Sequence, residues 1–385
     1  MTKIAVLVSS PIREGLAEAI ELGEAPRRDY FELRDMLGAE LLCPPREQGR
    51  LYRALHKVGG DALAMAVVAW TRRSDFDLIL TDQEGSGLLL AMMLKITRSK
   101  MSHVMISHYL TPAKKQIAYR TFGAQSHIDC TVCYSTAQEK LGKERLGLTR
   151  EQVRKILHPA DSAFWRPASS HQETLEDDEM LRKAGLILPL DARVICSAGL
   201  EFRDYPTLIE AAASLPGSTQ IAIAASSPWS KRRNTTEDVK IPANVHVVSL
   251  KPLQLRALYR RAQAVVIPLY DVDFQAGSLV AYEAMACAKP VVITRTRGQS
   301  DIVQENETGF YVPPGDSGAM AEALNRLLND PELATTMGQN ARTVVEGGLN
   351  LNTYLNSMAE LVREVAARRP SPQGTLPVRA TIEEG

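Results

Sequence analysis

Residues 273–303 read DFQAGSLVAYEAMACAKPVVITRTRGQSDIV and carry a clear structural pattern. A polar loop with Gly277 leads into an apolar, helix-like segment that holds a single acid, Glu283, and then directly into the strand-like run PVVIT. The order loop, helix, strand is typical of one unit of an α/β protein with a parallel sheet. Because a carboxylate on an apolar helix is costly without a partner, Glu283 also points to a ligand or a counter-ion.

The same alternation of strand and helix patterns runs through the rest of the chain. The strand-like runs of the first half are KIAVLVSS, AELLCP, FDLILTD, SHVMISH and DCTVCYS, and those of the second half are ARVICSAG, TQIAIAAS, NVHVVSL, AVVIPL and PVVIT. Continuous apolar strands separated by helices favour doubly wound parallel sheets covered on both faces. We therefore predict two similar-sized α/β domains that face a cleft.

The polar segment HPADSAFWRPASSHQETLEDDE interrupts this pattern and predicts the junction between the domains. We place the first domain at residues 1–165 and the second at 166–348, followed by a helix at 349–369 and a disordered tail at 370–385. The acidic run 176–179 is expected to be the solvated start of a helix, where acids suit the helix dipole.

Composition narrows the class of protein. A length of 385 residues suggests two domains. Lys plus Arg and Asp plus Glu are equal at 45 each, so net charge gives no argument for nucleic acid. The five scattered cysteines suggest a reducing compartment, and Cys130 and Cys133 are expected to pack in a core strand. The N-terminus lacks a signal-peptide pattern and Lys95 breaks the longest apolar run, which predicts a cytoplasmic protein.

Ligands of open parallel sheets bind beyond the carboxyl ends of the strands, so function should lie in the loops after them. Arg203 comes after ARVICSAG, where a guanidinium can hold phosphate oxygens. An ion pair with Asp204 or Glu210 is the alternative. Further along, Gly298 permits a tight turn, and Asp301 is expected to cap the segment after it.

The loop after AVVIPL leads into the helix that carries Glu283. The N–H groups of Gly277, Ser278 and Leu279 are expected to be the unsatisfied first-turn donors of that helix, which makes an anion site. A plain N-cap by Ser278 is compatible with this. Glu283 can accept two hydrogen bonds from a vicinal diol such as a ribose; a salt bridge to Lys289 or an arginine is the alternative.

In the first half, His108 lies just after a strand, and a structural role or a role in the cleft are both open. Asp82 and Glu84 lie after the neighbouring strand, where they could contact an acceptor hydroxyl or cap a helix. Lys114, Lys115 and Arg120 form a basic helix face. That face is either solvated or suited to an anionic acceptor or a membrane surface.

Four segments resemble the GT-B glycosyltransferases, in particular the family-4, group 1 type of retaining enzymes that use nucleotide sugars. They are LVAYEAMACAKPVVIT, GQSDIVQENETGFYVPPGD, HPADSAFWRP and FRDYPTLIEAA. The resemblance covers the second domain and, more loosely, the first. It implies two Rossmann-like domains facing a cleft, with the final helix crossing back to the first domain.

The resemblance also implies a metal-independent hexosyltransferase whose donor is a nucleotide diphosphate sugar, most commonly a UDP-sugar. Glu283 would hold the ribose, while Arg203 and the N–H groups of Gly277, Ser278 and Leu279 would hold the diphosphate. The base would lie against the loop at 247–251, next to Val248 and Leu250. Gln275 would orient the sugar, and His108 would contact the sugar or the acceptor.

Two departures from the family pattern stand out. The family typically has two glutamates with seven residues between them, and the first position here is Gln275, an uncharged amide. The arginine that often comes after the strand-end glycine is also missing, because Leu200 is the residue next to Gly199. Lys231, Arg232 or Arg233 could assist Arg203 at the diphosphate, although that loop also reads as solvated.

Two other functions stay open at this point. A sugar-nucleotide epimerase would use Asp82 and Glu84 to move protons, and a catalytically silent GT-B-like binding subunit would explain Gln275. For a transferase the acceptor is open between a glycan, a lipid-linked molecule and a small molecule. A lipid-linked acceptor would bring peripheral contact with the inner membrane face.

Overall fold

Two parallel β-sheets of six strands form the framework of the chain, whose computed structural model describes residues 2–45, 49–226, 233–299 and 301–368. The first sheet contains β1 (Ile4–Leu7), β2 (Glu40–Leu42), β3 (Leu78–Thr81), β4 (Ser102–Ser107), β5 (Cys130–Cys133) and β6 (Val153–Lys155). The second contains β7 (Arg193–Ala198), β8 (Thr219–Ala224), β9 (Val245–Val248), β10 (Ala264–Ile267), β11 (Val291–Thr294) and β12 (Gly309–Val312). Their orders are β2-β1-β3-β4-β5-β6 and β12-β11-β10-β7-β8-β9, which confirms the predicted pair of doubly wound sheets.

Helices cover both faces of each sheet. Those of the first half are α1 (Leu16–Glu21), α2 (Asp29–Leu37), α3 (Arg50–Thr71), α4 (Glu84–Ile96), α5 (Ala113–Arg120) and α6 (Thr136–Arg145). Those of the second half are α7 (His171–Lys183), α8 (Tyr205–Ala212), α9 (Pro252–Arg261), α10 (Ser278–Ala286), α11 (Ser317–Asn329), α12 (Pro331–Val344) and α13 (Leu351–Ala367). Within the described ranges, none of them has the length and apolar character needed to cross a membrane.

Two strands have no counterpart among the predicted runs, β6 and β12. Both are the last strands at one edge of their sheets. An edge strand is short and is covered less than a central one, so its apolar pattern is weak. The sequence VRK of β6 contains one apolar residue, and GFYV of β12 is a run of four residues that begins with a glycine.

The prediction for the acidic run 176–179 is wrong. The helix α7 begins at His171, where the Ser170 side chain accepts a hydrogen bond from the Glu173 amide. The acids therefore lie in the middle of the helix. One of them, Asp177, is buried and accepts from the guanidinium of Arg260 at 3.1 Å, so this position serves packing between α7 and α9.

The cores lie between the sheets and their helices. Cys130 and Cys133 belong to different clusters in the first domain, one on each face of β5. Burial raises the pKa of each thiol to about 12. A thiol that stays protonated is a poor nucleophile and metal ligand, so both cysteines act as packing groups.

The last described helix, α13, packs on the first sheet although it comes after the whole second domain. Its apolar face, which includes Met358 and Val362, joins the cluster that holds Val6, Leu80 and Val104 of the central strands. The chain thus crosses between the domains twice, once near Ala160 and once before α13.

These two crossing segments are hydrogen bonded to each other. The Ala160 amide donates to the Leu349 carbonyl, and the Leu351 amide donates to the Ala160 carbonyl, each at 2.9 Å. The two connections therefore run side by side.

We expect the substitution Met358→Ala to destabilise the protein by about 2–5 kcal/mol, because it leaves a cavity in the core between α13 and the first sheet. Urea unfolding followed by circular dichroism measures the change. Glu360→Ala, at an exposed position on the same helix, is the control and should stay within about 0.5 kcal/mol of the parent. Equal effects of both substitutions would contradict this role of α13.

Candidate active site

A cavity of about 650 Å³ lies between the two domains at the carboxyl ends of their strands. In the second sheet the order changes direction at β7, which has β10 on one side and β8 on the other, and such a switch point is where open parallel sheets bind ligands. Most of the predicted site residues line the cavity: His108, Arg203, Gln275, Gly277, Ser278, Leu279 and Glu283. The cavity lining does not include Val248 and Leu250, which pack against the core of the second domain.

Glu283 is buried on the inner side of α10. The Tyr259 hydroxyl donates to its Oε2 atom at 3.1 Å. Burial raises the pKa of Glu283 to about 8, against the opposing effects of the Tyr259 hydrogen bond and of the positive charges of Arg28 and Arg203. Lys289 does not pair with it, because the ammonium donates to the Arg260 carbonyl at 2.7 Å. The carboxyl group therefore faces the cavity without an ion pair among the described residues.

Arg203 is also buried, with 3% of its surface exposed. Its Nε donates to the Ala198 carbonyl and its Nη1 to the Glu201 carbonyl, both at 2.8 Å. Neither acid that sequence analysis offered as a partner forms an ion pair with it; Asp204 instead accepts from the Thr207 hydroxyl at 2.7 Å. Two carbonyls thus fix the guanidinium, and burial lowers its pKa.

Two glycines keep the space around the guanidinium open. A Cβ atom on Gly199 would lie 2.8 Å from Nη2 of Arg203, and one on Gly277 would lie 3.7 Å from Nη1. Both glycines have a positive φ angle, +93° and +79°, which other residues rarely adopt. The end of β7 and the start of α10 therefore meet at this arginine.

The N-terminus of α10 starts one residue earlier than a Ser278 cap would place it. Gly277 is the N-cap and makes no side-chain hydrogen bond, and Ser278 is the first helical residue. The predicted N-cap role of Ser278 is therefore wrong. The first-turn N–H groups, which have no partner inside the helix, are those of Ser278, Leu279 and Val280, and all three residues line the cavity.

Gln275 joins the two domains inside the cavity. Its Nε2 lies 3.4 Å from the Tyr134 carbonyl of the first domain and 3.4 Å from the Tyr282 hydroxyl. Its Oε1 is buried and has no hydrogen-bond partner among the described residues. An unpaired buried acceptor is costly, so this oxygen is suited to a hydroxyl of a ligand.

The first domain supplies an acid and an imidazole to the opposite wall. Asp82 accepts from the Ser9 amide at 3.0 Å and from the Ser9 hydroxyl at 2.8 Å. Burial raises the pKa of Asp82 to about 6. The ring of His108 packs edge-on against Tyr134, with 5.4 Å between the ring centroids.

Glu84 has a structural role. It forms an ion pair with Lys115 and accepts from the His108 amide at 2.9 Å. Lys115 lies over the ring of Tyr109 at 3.5 Å. The interpretation of Lys115 as part of a basic helix face is therefore wrong, whereas Lys114 and Arg120 are exposed on α5.

Sequence analysis missed a group of polar residues just before and at the start of α2. Arg27 donates to Asp161 through its amide and through Nη2, each at 2.9 Å. Arg28 and Asp29 line the cavity beside them, and burial raises the pKa of Asp29. These residues do not come after a strand, so the rule that located the other site residues does not reach them.

The two domains also touch along one rim of the cavity. The Thr111 hydroxyl donates to Asp273 at 3.0 Å, and the rings of Tyr109 and Phe274 stack with centroids 4.6 Å apart. Asp301 accepts from the Thr136 amide at 2.6 Å and so binds the start of α6. Asp301 thus links the second domain to the first, a contact that sequence analysis did not anticipate.

Within the residues that the structure describes, no three His, Cys, Asp or Glu side chains are grouped as a metal site. Arg233 forms an exposed ion pair with Glu237 at 3.2 Å. Lys231 and Arg232, and the tail at 370–385, lie outside the described residues.

Comparison with known proteins agrees with this architecture. Residues 186–344 match the model of the family described as glycosyl transferases group 1. The D-inositol 3-phosphate glycosyltransferase of Corynebacterium efficiens is 27% identical over 307 residues, which are 73% of this chain and 70% of that protein.

Two solved structures show the same fold over nearly the whole chain. Sucrose-phosphate synthase from Thermosynechococcus elongatus matches with a TM-score of 0.71 and 20% identity over 96% of this chain and 100% of that one. HepE from Anabaena, solved in complex with UDP-glucose, matches with a TM-score of 0.69 and 16% identity over 94% of this chain and 100% of that one.

We expect Glu283→Gln to change how stability depends on pH. The folded protein holds the Glu283 proton up to a pH of about 8, whereas the unfolded chain releases it near the ordinary value of about 4.3. The folded state then binds the extra proton between these values, so this residue makes the protein less stable as pH rises. The melting temperature of the variant minus that of the parent should therefore be more positive at pH 9 than at pH 5.

Melting temperatures at both pH values test this. Glu322→Gln, at an exposed position on α11, is the matched control and should shift equally at both. If the difference between Glu283→Gln and the parent is the same at pH 5 and pH 9, the buried carboxyl group does not hold its proton as described.

Proposed function

We propose where the substrates bind in this chain. The chain belongs to the glycosyl transferases group 1 family and is a GT-B glycosyltransferase. It moves a hexosyl group from a nucleotide sugar to an acceptor. One observation carries the proposal. Arg203, Glu283 and the free amides of α10 converge on one cavity at the switch point of the second sheet. A fixed guanidinium, a helix N-terminus and a carboxyl group match the diphosphate and the diol of a nucleotide.

The diphosphate lies between Arg203 and the first turn of α10. In the transfer, the bond between the anomeric carbon and the diphosphate oxygen breaks, and the acceptor oxygen bonds to the same carbon. The acceptor's hydroxyl proton leaves with the nucleoside diphosphate. Negative charge grows on the leaving group, and donors that are already in place stabilise it without reorganising.

The ribose lies against Glu283. Hydroxyl groups that donate to the carboxylate favour its ionised form, so we expect donor binding to lower the pKa of this group from about 8. The base extends from Gly199 across the end of β8 to residues 247–251, which form the end of β9 and the turn after it at the edge of the sheet. Val248 and Leu250 flank it there.

The transferred sugar lies between Gln275 and His108. The free Oε1 of Gln275 accepts from a sugar hydroxyl, and His108 contacts the sugar or the acceptor from the first domain. We propose that the outcome is retention. We also propose uridine diphosphate as the carrier, since HepE shares the fold and was solved with UDP-glucose and with UDP.

The acceptor lies on the first domain, beside Asp82 and Asp29. An epimerase would instead need two free acids on this wall. Glu84 is held by the ion pair with Lys115 and by the His108 amide, which leaves the Asp82 and Glu84 pair incomplete. Glu84 is therefore not the second acid that an epimerase would use.

We expect UDP to raise the melting temperature of the protein and Arg203→Met to remove that shift. A ligand at about 100 times its dissociation constant adds roughly 2.7 kcal/mol of stability. Arg193→Ala is the matched control. Arg193 is the first residue of β7, at the end of the strand away from the cavity, and its side chain donates to Asn329. The ligand-induced shift is compared, so a loss of stability in a variant does not confound the result.

A panel of UDP, GDP and ADP completes this experiment. Stabilisation by one nucleotide in the parent and in Arg193→Ala, but not in Arg203→Met, is the expected result. If none of the nucleotides stabilises the parent protein, the proposed donor site is contradicted.

We expect Gln275→Ala to act on the sugar and not on the nucleotide. Loss of one neutral hydrogen bond costs about 0.5–1.5 kcal/mol, which predicts weaker binding of the nucleotide sugar by up to about tenfold. The affinity for UDP should be unchanged. Calorimetric titration of UDP and of the UDP-sugar separates the two, and an equal loss for both would show that Gln275 does not contact the sugar.

A further inference from the structure

One surface of the first domain is formed by a stretch of sequence that contains basic residues and no acidic ones. Between Glu84 and Asp129 the chain contains no Asp or Glu, in a protein with equal numbers of acidic and basic residues. The basic residues of this interval are Lys95, Arg98, Lys100, Lys114, Lys115 and Arg120. All except Lys115 are exposed. A surface built from this interval therefore has one sign of charge.

The same surface exposes large apolar side chains. Ile96 is 82% exposed, Phe122 57% and Ile117 48%. They belong to one region. The Lys95 ammonium donates to the Phe122 carbonyl at 2.7 Å, which holds that loop against the end of α4 next to Ile96. The Phe122 amide donates to the Ile117 carbonyl at 3.2 Å and so continues the surface onto α5.

Asp75 and Asp129, which precede and follow this interval in the sequence, each have a partner of their own. Asp75, at the end of α3, pairs with Arg72 at 3.0 Å. Asp129 accepts from the His103 amide at 2.8 Å.

We propose that this surface, formed by Lys95, Ile96, Arg98, Lys100, Lys114, Ile117, Arg120 and Phe122, docks on the surface of an anionic lipid bilayer. Clustered cations are attracted to anionic headgroups, and apolar side chains among them enter the boundary between headgroups and acyl chains. The exposed isoleucines and phenylalanine favour a membrane over a nucleic acid, since phosphate backbones do not require aliphatic contacts.

The surface extends from the far end of α5 towards the cleft. Lys114 is the second residue of α5 and lies near Tyr109, which lines the cavity. Arg120 ends the helix, and Phe122 comes just after it. The surface therefore lies on the domain that we assign to the acceptor and does not include the donor site. The docking proposal therefore does not depend on the proposed donor.

Co-sedimentation with vesicles tests the proposal. We expect the protein to bind vesicles of phosphatidylcholine with about 30% phosphatidylglycerol and not vesicles of phosphatidylcholine alone, with weaker binding at about 0.5 M salt. Lys100→Gln and Lys114→Gln should each weaken binding about fivefold, the factor that corresponds to roughly 1 kcal/mol per cation near such a surface. Ile96→Ser with Phe122→Ser should also weaken it.

Matched controls lie on the second domain. Leu190→Ser replaces an apolar residue that is 81% exposed, and Lys240→Gln replaces an exposed cation; neither should change binding. No binding to either vesicle would overturn the proposal, as would equal effects of the surface and control variants. Binding to a short RNA that the Ile96 and Phe122 variant leaves unchanged would assign the surface to nucleic acid instead. Thermal stabilisation by UDP in the same samples shows whether the donor site is intact.

Discussion

The common direction of the strands is the constraint on which the site depends. Every strand pair in the described part of the chain is parallel. All carboxyl ends of a sheet therefore lie at one edge, and the loops after them are gathered there whatever their distance in sequence. Arg203 and Gly277 are far apart in the chain, yet they lie together because β7 and β10 are neighbours in the sheet.

The second-domain wall of the cavity keeps polar groups in a poorly solvated place. Burial raises the pKa of Glu283 and lowers that of Arg203, so each is shifted toward its neutral form. Gln275 adds an unpaired oxygen in the same cavity. Such groups cost stability in the empty protein, and a ligand that pairs with them recovers part of that cost. The arrangement favours a polar ligand with both anionic and hydroxyl groups.

The sequence predicts the fold and the cavity residues of the second domain for the same reason. Both depend on short-range patterns, an apolar strand and the loop just after it, which located Arg203, Gln275 and Glu283 in the cavity. It failed where a partner comes from another element. Lys115 reads as a solvated cation until the position of Glu84 is known, and Asp301 reads as a local cap until α6 is placed beside it. Arg27 lies in the connection between α1 and α2, and Asp29 is the first residue of α2; the sequence carries no comparable rule for these positions.

The return of α13 to the first sheet has a consequence for how the protein is made. The strands β1, β3, β4 and β5 are synthesised first, but the helix that covers one of their faces comes after the whole second domain. Before α13 is made, that face is covered only in part, by Leu33 and its neighbours on α2, and exposed apolar surface of this kind is a hazard during folding. The core on this face of the first sheet is therefore completed by residues that are synthesised after those of the second domain.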